Sequence, residues 1–566
     1  MSKVLGVNVS GFHSSACLAM DGKLVAAITE ERLSRVKRDK RFPNQAIKYV
    51  CDIAKIDVSE ITDVFVGWNP VHYMHKSDNT LLDALQNRGK IAYLALDELS
   101  AMSDSRVIEI TQNVRTENSE CNIHFVDHHL AHLCNAFCTS GFKRSDFFVA
   151  DGFGEVTTGL LGYVTSNKIH EFDEFRSPHS LGSFYSTFTD FLGFKANSDE
   201  WKVMALASLG DHHVYYDKVR SLIRVDDLQV ELDLSYFEHF LFFTQDYFTN
   251  KFVNEFGPRV TDTNNLDQQH FNLVAAVQKV VEDVVIEILH NLHKRTDAKH
   301  LVVSGGFFMN SVLNGKIIDR TPYEHLHIGG SPDDSGISIG SALYGLRYKL
   351  NDDKENELMN HNYLGGEYSD EQVIHELEKR KVRYKQITSI ENFAATKLKQ
   401  GKIVGWFQGK SEFGQRALGN RSILADPTIP DIKNKINSSI KYREEFRPFA
   451  PSILHEKQRE YFSSAKSQTS YFMERVFTFD EWCHEALPGV VHFDKTGRLQ
   501  TVSESINPRY YRLISEFGKL SGHPVVLNTS FNLNGMPLVE TPAHAIDCFY
   551  QSGIDCLIMG NVVVEK

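Results

Sequence analysis

Three segments of the chain follow one plan, in which a β-rich run ends at a turn of small residues. They are KVLGVNVSGFHSS at 3–15, DFFVADGFGE at 146–155 and HLVVSGGFFMN at 300–310. Branched and aromatic side chains favour the strand, and glycine permits the sharp turn that follows it. Backbone N–H groups at turns of this kind attract anions. The repeated plan therefore predicts a fold with two related lobes that grip phosphate groups.

The segments around these turns carry an α/β pattern. Two hairpins are predicted, one at 16–32 with Asp21 and a glycine at its tip, and one at 157–175. An apolar period of helical spacing over 266–296 predicts a long core helix that joins the turns.

A domain boundary is predicted where the pattern is interrupted. Residues 349–370 are polar and charged and contain a Gly-Gly pair, and strand-like runs resume beyond them. We therefore expect an α/β protein with two domains, at 1–355 and 356–566.

Composition narrows the class of protein. The 566 residues carry a net charge of −12 and 42% hydrophobic residues, so a general nucleic-acid binder with a basic face is disfavoured. No apolar run is long enough to cross a bilayer, and the N-terminus lacks the pattern of a signal peptide. The eight cysteines are scattered without a CxxC pair, which is typical of reduced thiols in a cytoplasmic protein.

Basic residues in the last third of the chain lie beside glycines and apolar residues. The segments that carry them are GWFQGKSEFGQRALGNRSILADP, SSIKYREEFRPFAPSIL and HFDKTGRLQTV, with Lys410, Arg416, Arg421, Lys441, Arg443, Arg447 and Arg498. Arginine binds phosphate or carboxylate oxygens in bidentate fashion. Asn528 and Ser530 in LNTSFN add groups that can orient a ligand. The alternative is a set of solvated surface charges, but the neighbouring glycines and apolar residues favour an anion site.

A histidine-rich stretch, DHHLAHLCNAFC at 127–138, is a candidate metal site. If Asp127 caps a helix, His128 and His132 lie one turn apart on one face, as two imidazole ligands of one ion require. The alternative is a pair of buried or capping histidines.

Two aspartates at distant turns are candidate partners for these histidines. Asp151 follows a predicted strand, and Asp334 lies in the turn SPDDSG, where it is preferred over its neighbour Asp333 because it directly precedes Ser-Gly. Two imidazoles and two carboxylates suit a divalent transition metal such as iron, with zinc or manganese as alternatives.

Two further residues are candidates for contacts with a hydroxyl-bearing substrate. His13 follows the first strand, where an imidazole can take a proton from a hydroxyl nucleophile. The alternative is a turn histidine that bonds its own loop. Lys202 in NSDEWKVMALASLG is a candidate for the cleft that holds this substrate, with a solvated surface lysine as the alternative.

Six segments together resemble one known family, the NodU/TobZ-type O-carbamoyltransferases. The resemblance runs in the same order over nearly the whole chain. The segments are GFHSSACLAMDGKLVAAITEERLSR, DHHLAHLCNAF, DGFGE, SGGFFMN, EFGQRALGNRSILADP and KYREEFRPFAPSIL.

The resemblance implies both a fold and a reaction. The fold would be a duplicated actin-like ATPase (ASKHA) domain followed by a YrdC-like α/β domain. The second domain would make carbamoyl adenylate from carbamoyl phosphate and Mg-ATP, and the first would transfer the carbamoyl group to a hydroxyl of an acceptor, with release of AMP. A homodimer, with neither a nucleic-acid partner nor a membrane, is also expected.

The resemblance also implies roles for individual residues. The metal ligands would be His128, His132, Asp151 and Asp334, with iron as the metal, and His13 would assist deprotonation of the acceptor. Nucleotide would contact Gly305, Gly306, Asn310, Arg416, Arg498 and Asn528. Carbamoyl phosphate would contact Arg416, Lys441, Arg447 and Ser530, with Lys441 and Arg447 in catalytic roles.

Other functions remain as alternatives at this point. A tRNA threonylcarbamoyl-type transferase shares both fold types but needs a surface that binds tRNA. A nucleotide-regulated binding protein would bind ATP without transferring a group. A sugar kinase of the actin-like class would leave the basic residues of the second domain unexplained.

Overall fold

The computed structural model describes residues 2–10, 12–69, 111–115, 120–241, 244–350, 356–444, 447–465 and 468–566. The chain forms two compact units. The first consists of Met1–Leu24, Ile56–Asn310 and Lys316–Met359, and the second of Val25–Lys55, Ser311–Gly315 and Asn360–Lys566. Each unit is therefore assembled from more than one segment of the chain.

The strands of the described residues are numbered in chain order. Those before residue 350 are β1 (Lys3–Asn8), β2 (Ser15–Met20), β3 (Lys23–Thr29), β4 (Asp63–Val66), β5 (Thr111–Arg115), β6 (Glu120–Phe125), β7 (Arg144–Ala150), β8 (Thr157–Thr165), β9 (Ile169–Arg176), β10 (Ile223–Asp226), β11 (Gln229–Leu232), β12 (His300–Ser304) and β13 (His325–Ile328). Those after it are β14 (Lys385–Gln386), β15 (Val404–Phe407), β16 (Arg421–Ala425), β17 (Ala450–Leu454), β18 (Arg475–Thr478), β19 (Thr496–Val502), β20 (Val525–Ser530), β21 (Cys556–Met559) and β22 (Val562–Glu565).

The α-helices of the described residues are numbered in the same way. They are α1 (Glu30–Ser34), α2 (Asn44–Ala54), α3 (His128–Phe137), α4 (Leu181–Phe191), α5 (Glu200–Leu206), α6 (Tyr216–Arg220), α7 (Asn250–Phe256), α8 (Gln268–Thr296), α9 (Ser311–Arg320), α10 (Ile337–Tyr344), α11 (Asp370–Lys379), α12 (Ile390–Lys399), α13 (Ile432–Ile436), α14 (Gln458–Tyr461), α15 (Cys483–Ala486), α16 (Pro508–Ser521) and α17 (Pro542–Tyr550).

The first unit contains one strand arrangement twice. In one sheet the order β2-β1-β4-β6 has β1 antiparallel to β2 and parallel to β4, which is parallel to β6. In the other sheet the order β8-β7-β12-β13 has β7 antiparallel to β8 and parallel to β12, which is parallel to β13. The same order and the same orientations recur, so the unit is a duplicated α/β fold with actin-like topology.

Helices α3 and α10 of the first unit pack closely against each other. Helix α10 contacts both β1 and α3. The approach depends on small residues, because a Cβ on Gly6 would lie 1.9 Å from the carbonyl oxygen of Ser338, and one on Gly340 would lie 1.8 Å from that of Ala131. Helix α3, which carries His128 and His132, is therefore held in place by backbone-to-backbone packing.

The second unit is built on one mixed sheet with helices on both faces. Its strand order is β14-β22-β21-β15-β16-β20-β17-β19-β18. Alternate residues of β15 and β21 face two different apolar clusters: Phe407 and Leu557 join helices α11, α13 and α17, whereas Trp406 and Ile558 join α12 and α16. This period of two is expected of a strand that is buried on both faces.

The predicted elements are present. Strands β2 and β3 flank the Asp21-Gly22 turn, β8 and β9 form the second hairpin, and α8 spans Gln268–Thr296 with Asp267 as its N-cap. The duplicated actin-like unit and the C-terminal α/β unit confirm the predicted fold class. All eight cysteines lie in the described residues and none forms a disulfide. Among the described helices, none has the length and apolarity that a membrane span requires.

The close contact between α3 and α10 leads to a stability prediction. The substitution Gly340→Ala places a methyl group 1.8 Å from the carbonyl oxygen of Ala131, which is fixed in a helix. Alanine favours an isolated helix by about 1 kcal/mol over glycine, but overpacking costs about 1–3 kcal/mol or more. We expect a lower free energy of unfolding, measured by chemical denaturation.

The matched control is Gly152→Ala. Its Cβ would meet only Asn197 Oδ1, at 3.8 Å, which is an ordinary van der Waals contact. Equal stability losses in the two variants would contradict the packing described for α3 and α10.

Candidate functional site

Four side chains from three separate segments converge in the first unit. His132 Nε2 lies 3.0 Å from Asp151 Oδ2 and 3.7 Å from Asp334 Oδ1, and His128 Nε2 lies 3.7 Å and 3.9 Å from the same two oxygens. All four ligand atoms lie within 4.8 Å of one another. We call His128, His132, Asp151 and Asp334 the metal group. Metal–ligand bonds of about 2.1 Å place neighbouring ligand atoms about 3–4 Å apart, so these four side chains have the spacing of a metal site.

Helix α3 sets the positions of the two imidazoles. Asp127 is the N-cap and accepts a hydrogen bond of 2.9 Å from Leu130 N, as the sequence predicts. His128 and His132 are then one turn apart, and both are fully buried. Glu155, which is also buried, accepts a hydrogen bond of 3.1 Å from His128 N and adds a negative charge at the helix N-terminus.

Each carboxylate of the metal group has one oxygen held and the other directed at the histidines. Gly152 N donates to Asp151 Oδ1 at 2.7 Å, and Ser10 Oγ donates to Asp334 Oδ2 at 2.7 Å. Hydrogen bonds of this kind orient metal ligands and hold them in place when a metal is bound. The remaining oxygens, Asp151 Oδ2 and Asp334 Oδ1, are the atoms nearest the imidazole nitrogens.

The buried polar atoms of the metal group make few hydrogen bonds to the described residues. Neither ring nitrogen of His128 or His132, nor Asp151 Oδ2, makes an aligned hydrogen bond to the described residues. Burial acts to lower the pKa of His128, but the interaction with Asp151 and the charge of Asp334 raise it to about 9. Burial acts to raise the pKa of Asp151, but His128 and His132 lower it well below its usual range. Two carboxylates thus draw positive charge into the cluster, and the donor set fits a divalent metal.

The third histidine of the stretch has a different environment. His129 Nδ1 lies 2.8 Å from Thr157 Oγ1, and His129 is absent from the group of converging ligands. Burial and the neighbouring charge of His128 lower its pKa to about 3. His129 is therefore a neutral packing residue between α3 and β8.

His13 lies on the turn after β1, beside the turn that carries Asp334. The Asn8 amide nitrogen donates to the carbonyl oxygens of Phe12 at 2.9 Å, His13 at 3.2 Å and Asp334 at 2.8 Å. One buried amide thus joins the two turns. His13 has a φ of 47°, an uncommon left-handed conformation for a residue other than glycine.

The glycine turn after β12 packs directly on the metal group. A Cβ on Gly305 would lie 2.0 Å from the carbonyl oxygen of Ala150, and one on Gly306 would lie 2.8 Å from Asp151 Oδ1. Only glycine allows this approach. Asn310, at the end of the turn, exchanges two hydrogen bonds with the buried Gln278 of α8, at 2.9 and 3.2 Å.

Lys202 lies on α5 in the same unit. Its ammonium group is 3.3 Å from Asp199 and 5.2 Å from the centre of the Phe194 ring. Glu200, two residues earlier in the same motif, accepts hydrogen bonds from Ser186 Oγ at 2.6 Å and Asn197 N at 2.5 Å. The role of Lys202 in an acceptor cleft stays a prediction.

A basic cluster lies in the second unit and consists of Arg416, Lys441, Arg443, Arg447 and Arg498. Lys441 is 3% exposed, and its ammonium group donates to the Ser530 carbonyl at 2.5 Å and to Asn532 O and Oδ1 at 2.9 and 2.8 Å. These partners are neutral oxygens. Burial and the charges of Arg443 and Arg447 lower the pKa of Lys441 well below its usual range.

The arginines of the basic cluster repel one another in the same way. Burial, Arg416 and Arg443 lower the pKa of Arg498, and burial and Arg447 lower the pKa of Arg443 to about 9. Arg447 forms an ion pair of 3.1 Å with Glu444. Mutually repelling guanidinium groups in a partly buried setting are relieved by an anion, so this cluster can bind phosphate groups.

Asn528 and Ser530 lie on β20 but differ in accessibility. The Asn528 amide is 1% exposed and donates to Ala417 O, Ser452 Oγ and Gln500 Oε1 at 3.0–3.1 Å. It holds the chain after Arg416 in place. Ser530 is half-buried and lies within 3.3 Å of the Lys441 ammonium.

The sequence pattern predicts Arg421 as part of an anion site, but in the structure its guanidinium group bonds the protein's own backbone. It is fully buried and donates to the carbonyl oxygens of Gln408, Gly409, Asn420 and Gly366 at 2.5–3.1 Å. Glu412 accepts from the backbone N–H groups of Leu418, Asn420 and Arg421 at 2.7–3.1 Å. These two residues shape the loop that carries Arg416.

Several supporting residues were not predicted from the sequence. Glu155, Ser10 and Asn8 each hold a residue of the metal group through contacts between segments far apart in the chain. Glu412 holds the loop of Arg416 through contacts with residues 6 to 9 positions later. Glu155 belongs to the quoted DGFGE motif, and its spacing from Asp151 was the one available signal.

Comparison with known proteins identifies the family. Residues 3–343 match the family described as Carbamoyltransferase N-terminus, and residues 395–566 match Carbamoyltransferase C-terminus. A protein of Synechocystis is 32% identical over 100% of this chain and 97% of its own length. The nodulation protein NolNO of Sinorhizobium fredii is 32% identical over 98% of this chain and 78% of its own length.

Among solved structures, HypF of T. kodakarensis aligns with a TM-score of 0.32 and 10% identity, covering 61% of this chain and 48% of that protein. The two family matches follow one another along most of the sequence; the first contains all four residues of the metal group, and the second contains the five residues of the basic cluster. The chain therefore belongs to the carbamoyltransferase family of enzymes.

Proposed function

We propose that this carbamoyltransferase is ATP-dependent and works in two steps through carbamoyl adenylate. The acceptor is a hydroxyl of a small molecule or a saccharide, as in natural-product or glycan biosynthesis. The observation that carries the proposal is the presence of two chemically different sites, a buried metal group of two imidazoles and two carboxylates and a separate basic cluster. We assign adenylate formation to residues 356–566 and transfer to residues 1–355.

The first step takes place at the basic cluster. Hydrolysis of carbamoyl phosphate yields carbamate and phosphate. An oxygen of the carbamate then attacks the α-phosphorus of Mg-ATP. A bond forms between this oxygen and phosphorus, and pyrophosphate leaves with the electron pair of the broken bond. Carbamate decomposes in water, so the step needs a site that excludes bulk solvent.

Arg416, Arg498, Lys441 and Arg447 serve this step by binding anions. Their positive charges are already assembled in a partly buried setting, so they stabilise the charge on the transferring phosphoryl group with little reorganisation. Ser530, next to the Lys441 ammonium, orients the carbamoyl phosphate, and Asn528 acts on the nucleotide by holding the chain beside Arg416 through Ala417 O.

The second step takes place beside the metal group. The acceptor oxygen attacks the carbamoyl carbon, AMP leaves, and the hydroxyl proton passes to a base. His13 is the assigned base because its turn is joined to that of Asp334 through Asn8. The glycine turn of Gly305 and Gly306, with Asn310, holds the nucleotide, and Lys202 lines the acceptor cleft.

His128, His132, Asp151 and Asp334 would hold a divalent metal, and iron suits this mixed nitrogen and oxygen donor set. When bound, the metal would supply Lewis-acid charge for a carbonyl or phosphate oxygen. The protein's own contribution is to keep the two carboxylates oriented through Gly152 N and Ser10 Oγ.

Metal content is the first test. We expect about one divalent metal ion per chain in protein purified without chelator, measured by elemental analysis, and a lower unfolding midpoint after chelation, because a ligand that binds only the folded state stabilises it. The variant His132→Ala is expected to lose the metal and the response to chelator.

His124 provides a matched control, because its imidazole pairs with Asp63 at 3.1 Å, outside the metal group. The variant His124→Ala is expected to retain the metal. Equal metal content in wild type and His132→Ala would contradict the assignment of these ligands.

Adenylate formation is the second test. With ATP and carbamoyl phosphate, the wild type is expected to release pyrophosphate and to form carbamoyl adenylate, detected by mass spectrometry. The variant Arg498→Ala is expected to lower the rate of pyrophosphate release by about 100- to 1,000-fold, since it removes one preorganised charge from the reacting phosphates. Arg512→Ala, at an exposed arginine near Glu391, is the control. Absence of adenylate in the wild type would overturn the proposal.

Separation of the two steps is the third test. His132→Ala is expected to leave pyrophosphate release within about twofold of wild type while carbamoyl transfer to an acceptor falls by about 100-fold or more. Loss of both activities in a variant that remains folded by circular dichroism would show that the steps are assigned to the wrong sites.

A further inference from the structure

An arginine near the N-terminus is buried in the second unit. Arg32 lies on α1, and the segment Val25–Lys55 that contains it belongs to that unit. Arg32 is 2% exposed, although arginine is almost never fully buried without partners for its guanidinium group. Burying a cation costs free energy, so the contacts that Arg32 makes indicate what it does.

The partners of Arg32 are two backbone carbonyls of the loop that carries Arg416. Its Nη2 donates to Glu412 O at 3.2 Å and to Gly414 O at 2.6 Å. Its Nη1 is buried and makes no hydrogen bond to the described residues. The contacts of Arg32 therefore fix the backbone four and two residues before Arg416.

The loop that Arg32 contacts is paired along its other edge. Gly365 N donates to Ser411 O at 3.0 Å, and Phe413 N donates to Asn362 O at 2.7 Å. In an extended chain the carbonyls of alternate residues point to opposite edges, so the two carbonyls next to Phe413 face Arg32. The guanidinium group thus takes the place that a neighbouring strand would occupy.

Arg416 is held between two anchored carbonyls. Arg32 fixes Gly414 O, two residues before it, and Asn528 fixes Ala417 O, one residue after it, at 3.1 Å. Gly414 has a φ of 91°, a left-handed conformation that favours glycine, so the chain changes direction there. The direction in which Arg416 leaves the backbone therefore depends on both anchors.

Helix α1 is itself held by its neighbours in the chain. The carboxylate of Glu30 accepts from Ala46 N, in the first turn of α2, at 2.8 Å. The carboxylate of Glu31 accepts from Arg38 N at 2.8 Å. Both glutamates are buried, so they fix the short helix from which Arg32 reaches the loop.

We propose that Arg32 is a positioning residue for adenylate formation, because it holds the loop that presents Arg416 to the reacting anion. The N-terminal segment Val25–Lys55 is thereby a working part of the site in the second unit. A misplacement of about 1 Å in a group that binds the reactants can lower a rate about 100-fold. This inference rests on the proposed function for the identity of the reaction, but anion binding tests the positioning without turnover.

The alternative is that Arg32 stabilises the second unit and has no particular effect on Arg416. The two roles differ in one measurable respect. A residue that acts through Arg416 loses its effect on ligand binding once Arg416 is removed, because effects within one chain of contacts are not additive. A residue that only stabilises the unit has the same effect with or without Arg416.

A double-mutant cycle on the full chain makes this distinction. The probe is inorganic pyrophosphate, with binding measured by calorimetry. Arg32→Met removes the donor and is expected to weaken binding about tenfold, the effect of misplacing one charge-assisted hydrogen bond. In the Arg416→Ala background the same change is expected to have no further effect. Additive losses, unchanged binding in Arg32→Met, or absence of pyrophosphate binding to the wild type overturns the proposal.

A conservative variant and a control complete the cycle. Arg32→Lys is expected to restore binding, because one ammonium nitrogen can donate to two carbonyls, as Nη2 does. Arg380→Met is the control, since Arg380 lies in the same unit and bonds the Glu376 carboxylate at 2.7 Å. The unfolding midpoint of each variant is measured in parallel, and Arg32→Gln replaces Arg32→Met in the cycle if the latter does not fold. Equal losses of binding in Arg380→Met and Arg32→Met overturn the proposal.

Kinetics separate this inference from the proposed function. In pyrophosphate release from ATP and carbamoyl phosphate, Arg32→Met is expected to lower kcat/KM about 100-fold in the wild-type background and to have little effect in Arg416→Ala. If pyrophosphate binding depends on both arginines but the wild type forms no carbamoyl adenylate, the proposed function fails and the positioning role stands. If adenylate forms at the wild-type rate in Arg32→Met, the positioning role fails and the function stands.

Discussion

The first unit depends on an electrostatic constraint, two partly buried carboxylates beside two fully buried imidazoles. Two like charges about 4 Å apart repel by about 4 kcal/mol at an effective dielectric constant of about 20. Asp151 and Asp334 are nevertheless held in place by Gly152 N and Ser10 Oγ. The Nε2 atoms of His128 and His132 lie within 3.9 Å of one oxygen of each carboxylate. Both imidazoles are fully buried, and neither makes an aligned hydrogen bond to the described residues. The donor set fits the divalent metal proposed above, and the packing of α3, the glycine turn and the Asn8 contacts hold these side chains together.

The basic cluster of the second unit carries charges of the opposite sign, which are also held close together by the fold. Lys441 and Arg498 are held where burial and neighbouring cations lower their pKa, and the Lys441 ammonium is satisfied by neutral oxygens of Ser530 and Asn532. An anion would stabilise such a site by offsetting the repulsion between its cations. One chain thus carries a cluster of imidazoles and carboxylates and a separate cluster of basic side chains, and this division supports the two-step reaction proposed above.

Much of the fold and part of the site could be predicted from local sequence patterns. Helix α3, its Asp127 cap and the shared face of His128 and His132 follow from helical spacing and capping chemistry, which act over a few residues. The supporting contacts could not be predicted in this way. Glu155 caps a helix that begins 27 residues earlier in the chain, and Ser10 reaches Asp334 across 324 residues. Arg421 looked like an anion ligand among glycines, but its side chain is used by four backbone carbonyls.

The sequence by itself determined the classes of chemistry: strands that end in glycine turns, a histidine pair on one helix face, and arginines beside glycines. These depend on short-range geometry and on residue type. Only the tertiary structure decided which carboxylate oxygens face the histidines, that Arg421 is bonded by backbone carbonyls, and that the rings of Phe12 and Phe153 meet. Those outcomes depend on the pairing of strands distant in the chain and on packing that places one backbone against another, as at Gly305 and Gly340. Local patterns contain no information on such distances.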